Sequence, residues 1–186
     1  EADVRLAELE IAGAMGTSQA PVREALLRLE RDGLVARKGR SYTYVTGYAI
    51  DEIYEIFAIR STIEGFAAKR IAKKITHDQL SELNTLIGLM HVAADDGDGH
   101  MLLLTESDLL FHRDICEWSG SSGLLRTWES LYCQFQRFVV QTNVNHFNSL
   151  HEIAESHNPI VEALKLGDAE AAALAVQEHV MLIWSK

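Results

Sequence analysis

From Ile50 onward the chain carries its apolar residues at helical spacing and nowhere at the alternation of a strand, so most of it can be built only from helices. The interruptions are short: Ile75-Thr76, Asp95-Asp96-Gly97-Asp98-Gly99, Ser119-Gly120-Ser121-Ser122-Gly123, residues 146–148, and Gly167-Asp168. Between them the pattern predicts helices near 50–74, 77–94, 100–118, 122–145, 148–166 and 168–184. About six amphipathic helices with short connections must bury their apolar stripes on one another, which predicts an antiparallel bundle. The Asp95–Asp98 stretch has the composition of a calcium loop, but it lacks the spacing and the closing Glu and reads as a solvated turn.

The first 47 residues follow a different grammar. AELEIAGAM (residues 7–15) reads as a short helix with Leu9, Ile11 and Ala12 inward. Gly16-Thr17-Ser18 makes a turn, and Ser18 is placed to cap a helix through PVREALLRLERD, with Pro21 in its first turn and Gly33 closing it. Val22, Leu26 and Leu29 share one face of that helix. Two β-type runs, Leu34–Arg37 and Tyr42–Thr46, then flank a Lys-Gly-Arg-Ser turn and predict a hairpin. Helix, tight turn, helix and hairpin is the order of a winged helix-turn-helix, whose second helix enters the major groove of duplex DNA. A helical hairpin packed on a β-ribbon is the plainer alternative. Arginine placement favours the first, because Arg23, Arg28 and Arg31 avoid the apolar stripe while Lys38 and Arg40 sit at the hairpin tip.

Charge divides along the same boundary. Residues 1–47 hold seven basic and seven acidic residues, and residues 48–186 carry the whole net charge of −10. An acidic body does not wrap nucleic acid, whereas the arginines of the first segment can still make a local basic face. Composition is that of a soluble globular protein, 47% hydrophobic and 24% charged. No apolar run is long enough for a membrane span. The opening EADVRLAELE is polar and already periodic, unlike a signal peptide, and reads as following an upstream element; a cytoplasmic location is expected. Cys116 and Cys133 lie in apolar helical patterns and read as buried free thiols.

Chemistry concentrates in Asp108, His112, His157 and His179. Asp108 and His112 are four apart in LLLTESDLLFHRDICEW and share a helical face. His157 and His179 fall in ESHNPIVEAL and AALAVQEHVMLIW. Three neutral imidazoles and a carboxylate suit a divalent transition metal; the alternative is a buried polar network without one. Glu106 and Asp114 flank the pair and read as solvated. His77, His91, His100, His146 and His151, at helix ends or on polar faces, have no site role.

TSQAPVREALLRLERDGLV closely resembles the signature of the GntR superfamily of bacterial transcription regulators, and the remainder resembles the FadR-type, or FCD, effector domain. The FCD hallmarks recur in order: Arg60 and Glu64 in AIRSTIEG, Asp108 and His112 in DLLFH, His157 in SHNPIVEALKLGD, and His179 near the end. The resemblance implies a partial winged helix-turn-helix over 1–47, its first helix not represented, and an FCD-type effector-binding and dimerisation domain over 48–186. It further implies a homodimer, a double-stranded operator of paired half-sites, a small carboxylate effector, and a metal (Zn, Ni or Mn) held by Asp108, His112, His157 and His179. Arg60 is the candidate to grip the carboxylate through its bidentate fork, or else it pairs with Glu64 along its own helix. Arg137 and Asn143 are further effector candidates. Ser18, Gln19, Arg23, Lys38 and Gly39 are the candidate DNA contacts. Gln19 stands where the family usually has arginine, and its amide suits adenine rather than guanine. Ser121 stands where the family often has asparagine, which bears on local capping.

The expected function is a transcription regulator, more often a repressor in this family, controlled by an effector at the metal site. Two rivals are a regulator for which the metal itself is the signal, and a metal-dependent hydrolase. The sequence shows no HExxH pattern, no Ser-His-Asp or Cys-His set and no general base beside the metal, which weighs against an enzyme.

Overall fold

A computed structural model describes residues 4–39, 42–47, 49–96, 100–146 and 149–184, with side chains omitted for 141–146. The chain parts into two compact units, residues 1–52 and 53–186.

In the first unit β1 (Arg5–Leu6), α1 (Glu8–Ala14), α2 (Gln19–Arg31), β2 (Val35–Lys38) and β3 (Tyr42–Val45) follow in order. The hairpin forms as expected, with Val35 opposite Val45 and Lys38 opposite Tyr42. A third strand joins it, since β1 pairs with β3 by Arg5 opposite Tyr44 and Leu6 opposite Thr43. Two residues are too few to show alternation, so nothing in the sequence marks them. Ala12, Val22 and Leu26 form the core, with Leu6, Ile11 and Leu29 packed on it. Leu9 departs from expectation and is 69% exposed. It lies about 200° round the helix from Ile11, so the face that buries Ile11 turns Leu9 outward.

Ser18 occupies the N-cap position of α2 in extended backbone, but its side chain makes no capping hydrogen bond. The other end is closed as the sequence predicts. Gly33 adopts φ 73°. Its N–H donates to Glu30 O, while Leu34 N–H donates to Leu29 O at 2.9 Å, the paired bonds of a Schellman motif. The turn aims the chain directly into β2.

The second unit is helical throughout its described residues: α3 (Ile50–Ile71), α4 (His77–Asp95), α5 (Met101–Trp118), α6 (Ser122–Ser130), α7 (Tyr132–His146), α8 (Leu150–Glu155), α9 (Asn158–Lys165), α10 (Ala169–Val180) and a 3₁₀ turn, Leu182–Trp184. α4 packs on α5, α8 and α9; α5 on α6 and α7; α9 on α10. Leu83 and Met90, Leu104, Phe111 and Ile115, and Ile160 and Leu164 fill the interior without measurable exposure. Thr76 and Gln79 close a reciprocal capping box at the start of α4, and Ser121 accepts from Leu124 N–H, so serine still caps where the family often has asparagine.

Two predicted helices are each broken in two. The 148–166 stretch stops at Glu155 and restarts at Asn158. Pro159 is the cause: it has no N–H, and its ring strikes the carbonyl four residues back. The 122–145 stretch breaks at Leu131, whose N–H donates to Trp128 O three residues back. Nothing in the sequence explains that break. Both cysteines are free; Cys116 is buried as expected, but Cys133 is only half-buried. No helix among the described residues is long and apolar enough to cross a membrane.

Candidate functional site

The structure brings Asp108, His112, His157 and His179 together, with one ligand-type atom from each lying within 4.8 Å of all the others. α5 presents Asp108 and His112 one turn apart. His157 stands at the α8–α9 break, and His179 in the last turn of α10. Asp108, His112 and His157 are buried and His179 is half-buried. His112 Nε2 is 3.1 Å from His179 Nε2, and His157 Nε2 is 3.2 Å from Asp108 Oδ1.

The helix break determines how two of the imidazoles are protonated. In a continuous helix Ile153 O would accept from His157 N–H and Ser156 O from Ile160 N–H. Here those amides bond to Ala154 O and His157 O instead. The freed carbonyls take side chains: His157 Nδ1 lies 2.8 Å from Ile153 O, and His179 Nδ1 lies 3.2 Å from Ser156 O. A carbonyl can only accept, so both Nδ1 atoms carry a proton and both rings turn Nε2 inward. His112 Nδ1 faces the Glu64 carboxylate, 2.7 Å from Oε2, which places its proton on the same nitrogen. Two lone pairs therefore meet between His112 and His179. A proton could relieve that contact only by making a buried imidazolium, and burial drives the pKa of both His112 and His179 down. A divalent cation relieves it without one. By the chemistry of its donors, the set fits a transition metal.

Around this cluster lies a charged shell. Burial alone would raise the Glu64 carboxyl, but Arg60 and His112 bring it down to about 2. Glu64 Oε1 accepts from Trp128 Nε1 at 2.6 Å and from Arg60 Nε at 2.8 Å. Burial would likewise raise Asp108, and His157, His112 and Arg60 hold it well below the usual carboxylate range. Arg60 Nη2 is 3.7 Å from Asp108 Oδ2. Among the described residues neither of those atoms has a hydrogen-bond partner, nor has His157 Nε2. The guanidinium lies over the rings of Phe135 and Phe57, at 5.5 and 5.9 Å.

Arg60 thus realises the intrahelical pair and also reaches the cluster. Glu64 as the group orienting His112 went unread in the sequence, although its i, i+4 spacing from Arg60 signalled a partnership. Nothing marked Trp128, 64 residues away, as its second partner. Arg137 is half-buried on α7, and the Asn143 side chain lies outside the described residues. Glu106 is exposed as expected, but Asp114 is half-buried; burial, then Glu82 and Glu117, raise its carboxyl to about 6. His91 and His151 lie side by side. Their Nδ1 atoms meet at 3.1 Å, with Asp95 Oδ1 3.2 Å from His151 Nε2.

In the first unit Ser18, Gln19, Arg23, Lys38 and Gly39 are all exposed. Arg23 is held by Glu8, with Nε 3.0 Å and Nη2 2.8 Å from Oε2. A cleft of about 390 Å³ collects Arg23, Gln19 and Gly39 together with Arg5, Arg37, Glu8 and Leu9. Gly39 takes φ 60°, and beyond its chain neighbours no atom of the described residues lies within 4 Å of where its Cβ would stand, so the conformation selects glycine. Arg40 lies outside the described residues.

Residues 55–181 match the FCD domain, and residues 1–45 match the gntR family of bacterial regulatory proteins. A probable D-xylose utilization operon transcriptional repressor from Paenarthrobacter nicotinovorans is 34% identical over 93% of this chain and 74% of its own length. A gluconate operon transcriptional repressor from Bacillus licheniformis is 25% identical over 96% of this chain and 74% of its own. Among solved structures, E. coli McbR/YncC superposes with a TM-score of 0.78 at 24% identity, covering 97% of this chain and 84% of that one. A putative GntR regulator from Rhodococcus sp. RHA1 gives 0.77 at 21%, covering 98% and 87%. At such identities the structural likeness speaks for the fold, while the family matches speak for the class of protein. The chain belongs to the gntR family of bacterial regulatory proteins, in the branch whose helical half is the FCD domain, and is a DNA-binding transcription regulator rather than an enzyme.

Proposed function

We propose that this regulator is a cytoplasmic, homodimeric repressor whose operator affinity is set by a small carboxylate metabolite bound at a divalent transition metal. Asp108, His112, His157 and His179 hold the metal, which is Zn²⁺, Ni²⁺ or Mn²⁺. The observation that carries this reading is the pair of facing Nε2 atoms, 3.1 Å apart, whose rings each turn Nδ1 to an acceptor on the far side. When bound, the metal supplies Lewis-acid attraction for a carboxylate oxygen. The protein supplies the rest. Arg60 keeps an unspent Nη2 donor beside the cluster, and Glu64 and Trp128 hold its guanidinium and the His112 ring in place. Arg137 and Asn143, on α7, are the further contacts for the effector.

At the operator, Gln19 reads a base edge, while Ser18, Arg23, Lys38 and Gly39 lie along the backbone. The relatives named as repressors of the D-xylose utilization and gluconate operons favour repression. The effector acts by binding two arrangements of the dimer with different affinity; about 1.4 kcal/mol of coupling gives tenfold relief. A second reading, in which the metal alone is the signal, draws on the burial of three of the four ligands.

A gel-shift titration of operator DNA separates the two, using metal-loaded and chelator-stripped protein against a panel of carboxylates. Relief of binding by a carboxylate in the loaded protein alone supports effector control. Affinity that follows metal and ignores every acid selects the second reading. Indifference to both contradicts each.

A further inference from the structure

Leu9 is exposed in a place where an exposed leucine has a use. A single apolar side chain on a protein surface is ordinary. This one lines the cleft it shares with Gln19, the first residue of α2, and with three guanidiniums: Arg23, paired with Glu8, Arg37, paired with Glu30, and Arg5, which lies over the Tyr42 ring. A concavity with excess positive charge beside the start of a recognition helix is shaped for a polyanion. Within it, Leu9 offers only methyl groups, and Gln19 offers an amide that can donate and accept at once. In the major groove the complement of a methyl surface is the thymine C5-methyl. The complement of a bidentate amide is adenine, whose N6–H donates to Oε1 and whose N7 accepts from Nε2–H.

We infer that Leu9 is a base-reading residue which, with Gln19, makes the half-site of this regulator A·T-selective. Arg5, Arg23 and Arg37 supply the phosphate attraction and carry no sequence preference. The inference rests on the operator-binding reading above.

The test is selection of bound sites from a random duplex pool by the full chain. It is followed by affinity measurements on the selected site with thymines replaced by uracil, for the wild type, Leu9→Ala and Gln19→Arg. An A·T-rich half-site is expected, in which loss of one thymine methyl weakens wild-type binding about fourfold. Leu9→Ala should lose about the same factor on the thymine site and become insensitive to uracil. Gln19→Arg should move one position from A to G, with about fivefold or greater discrimination. Leu9 is exposed, so the variant should melt with the wild type, and matching melting curves exclude loss of folding. A selected half-site with G·C at both positions, or an equal uracil penalty in wild type and Leu9→Ala, overturns the assignment of Leu9 while leaving operator binding intact. A pool with no enriched sequence overturns the assignment and the operator reading together.

Discussion

Two arginine–glutamate pairs, each closed at 2.8 Å, stand in the two halves of this protein. In the winged half, Arg23 and Glu8 have side chains 56% and 26% exposed; in the helical half, Arg60 and Glu64 are 3% and 1% exposed. Bond length is the same and consequence is not. Water screens the first pair, so Arg23 can exchange Glu8 for a phosphate at little cost. The second pair has no solvent to fall back on. Removing either member strands a charge in the interior, and the pair is tied to Asp108, Trp128 and His112 besides. A surface pair suits recognition that must form and release, whereas a buried network suits a site whose geometry must hold.

Replacing each arginine by leucine attacks that contrast most strongly. Arg60→Leu leaves Glu64 and Asp108 uncompensated and should destabilise the protein by about 3–5 kcal/mol in urea unfolding. Arg23→Leu should leave the unfolding midpoint where it is. Equal midpoint losses would erase the distinction. Glu64→Gln is gentler, for it keeps the shape and removes the charge facing His112 Nδ1; metal affinity should fall about 10- to 100-fold by competition with a chromophoric chelator. The smallest effect belongs to the surface. Arg23→Ala should reduce the slope of log affinity against log salt for operator DNA by about one unit, with fold and metal affinity unchanged. A variant that binds operator with the wild-type slope would show that Arg23 remains with Glu8 in the complex.

The two halves also differ in how far their sequences could be read. The meeting of Asp108, His112, His157 and His179 was legible because Asp108 and His112 share a helix turn and because the order of motifs resembled a known family. The winged half was legible through its punctuation, Gly33 above all, whose positive φ ends α2 where the pattern predicted. Strand β1 was not, since two residues have no period. Leu9 fits an apolar pattern, yet its direction depends on which neighbours set the inward face. Pro159 was visible in the sequence, but its consequence was not. The break it forces frees two carbonyls, and those fix the protons of His157 and His179, a link that exists only once the chain is folded.

Metal content tests the central claim most directly. Elemental mass spectrometry on the purified wild type, beside an Asp108→Ala/His112→Ala double variant, should find about one transition-metal ion per chain in the first and none in the second. A wild type that holds no metal after chelator-free purification and reloading, or a double variant that holds as much as the wild type, would contradict it.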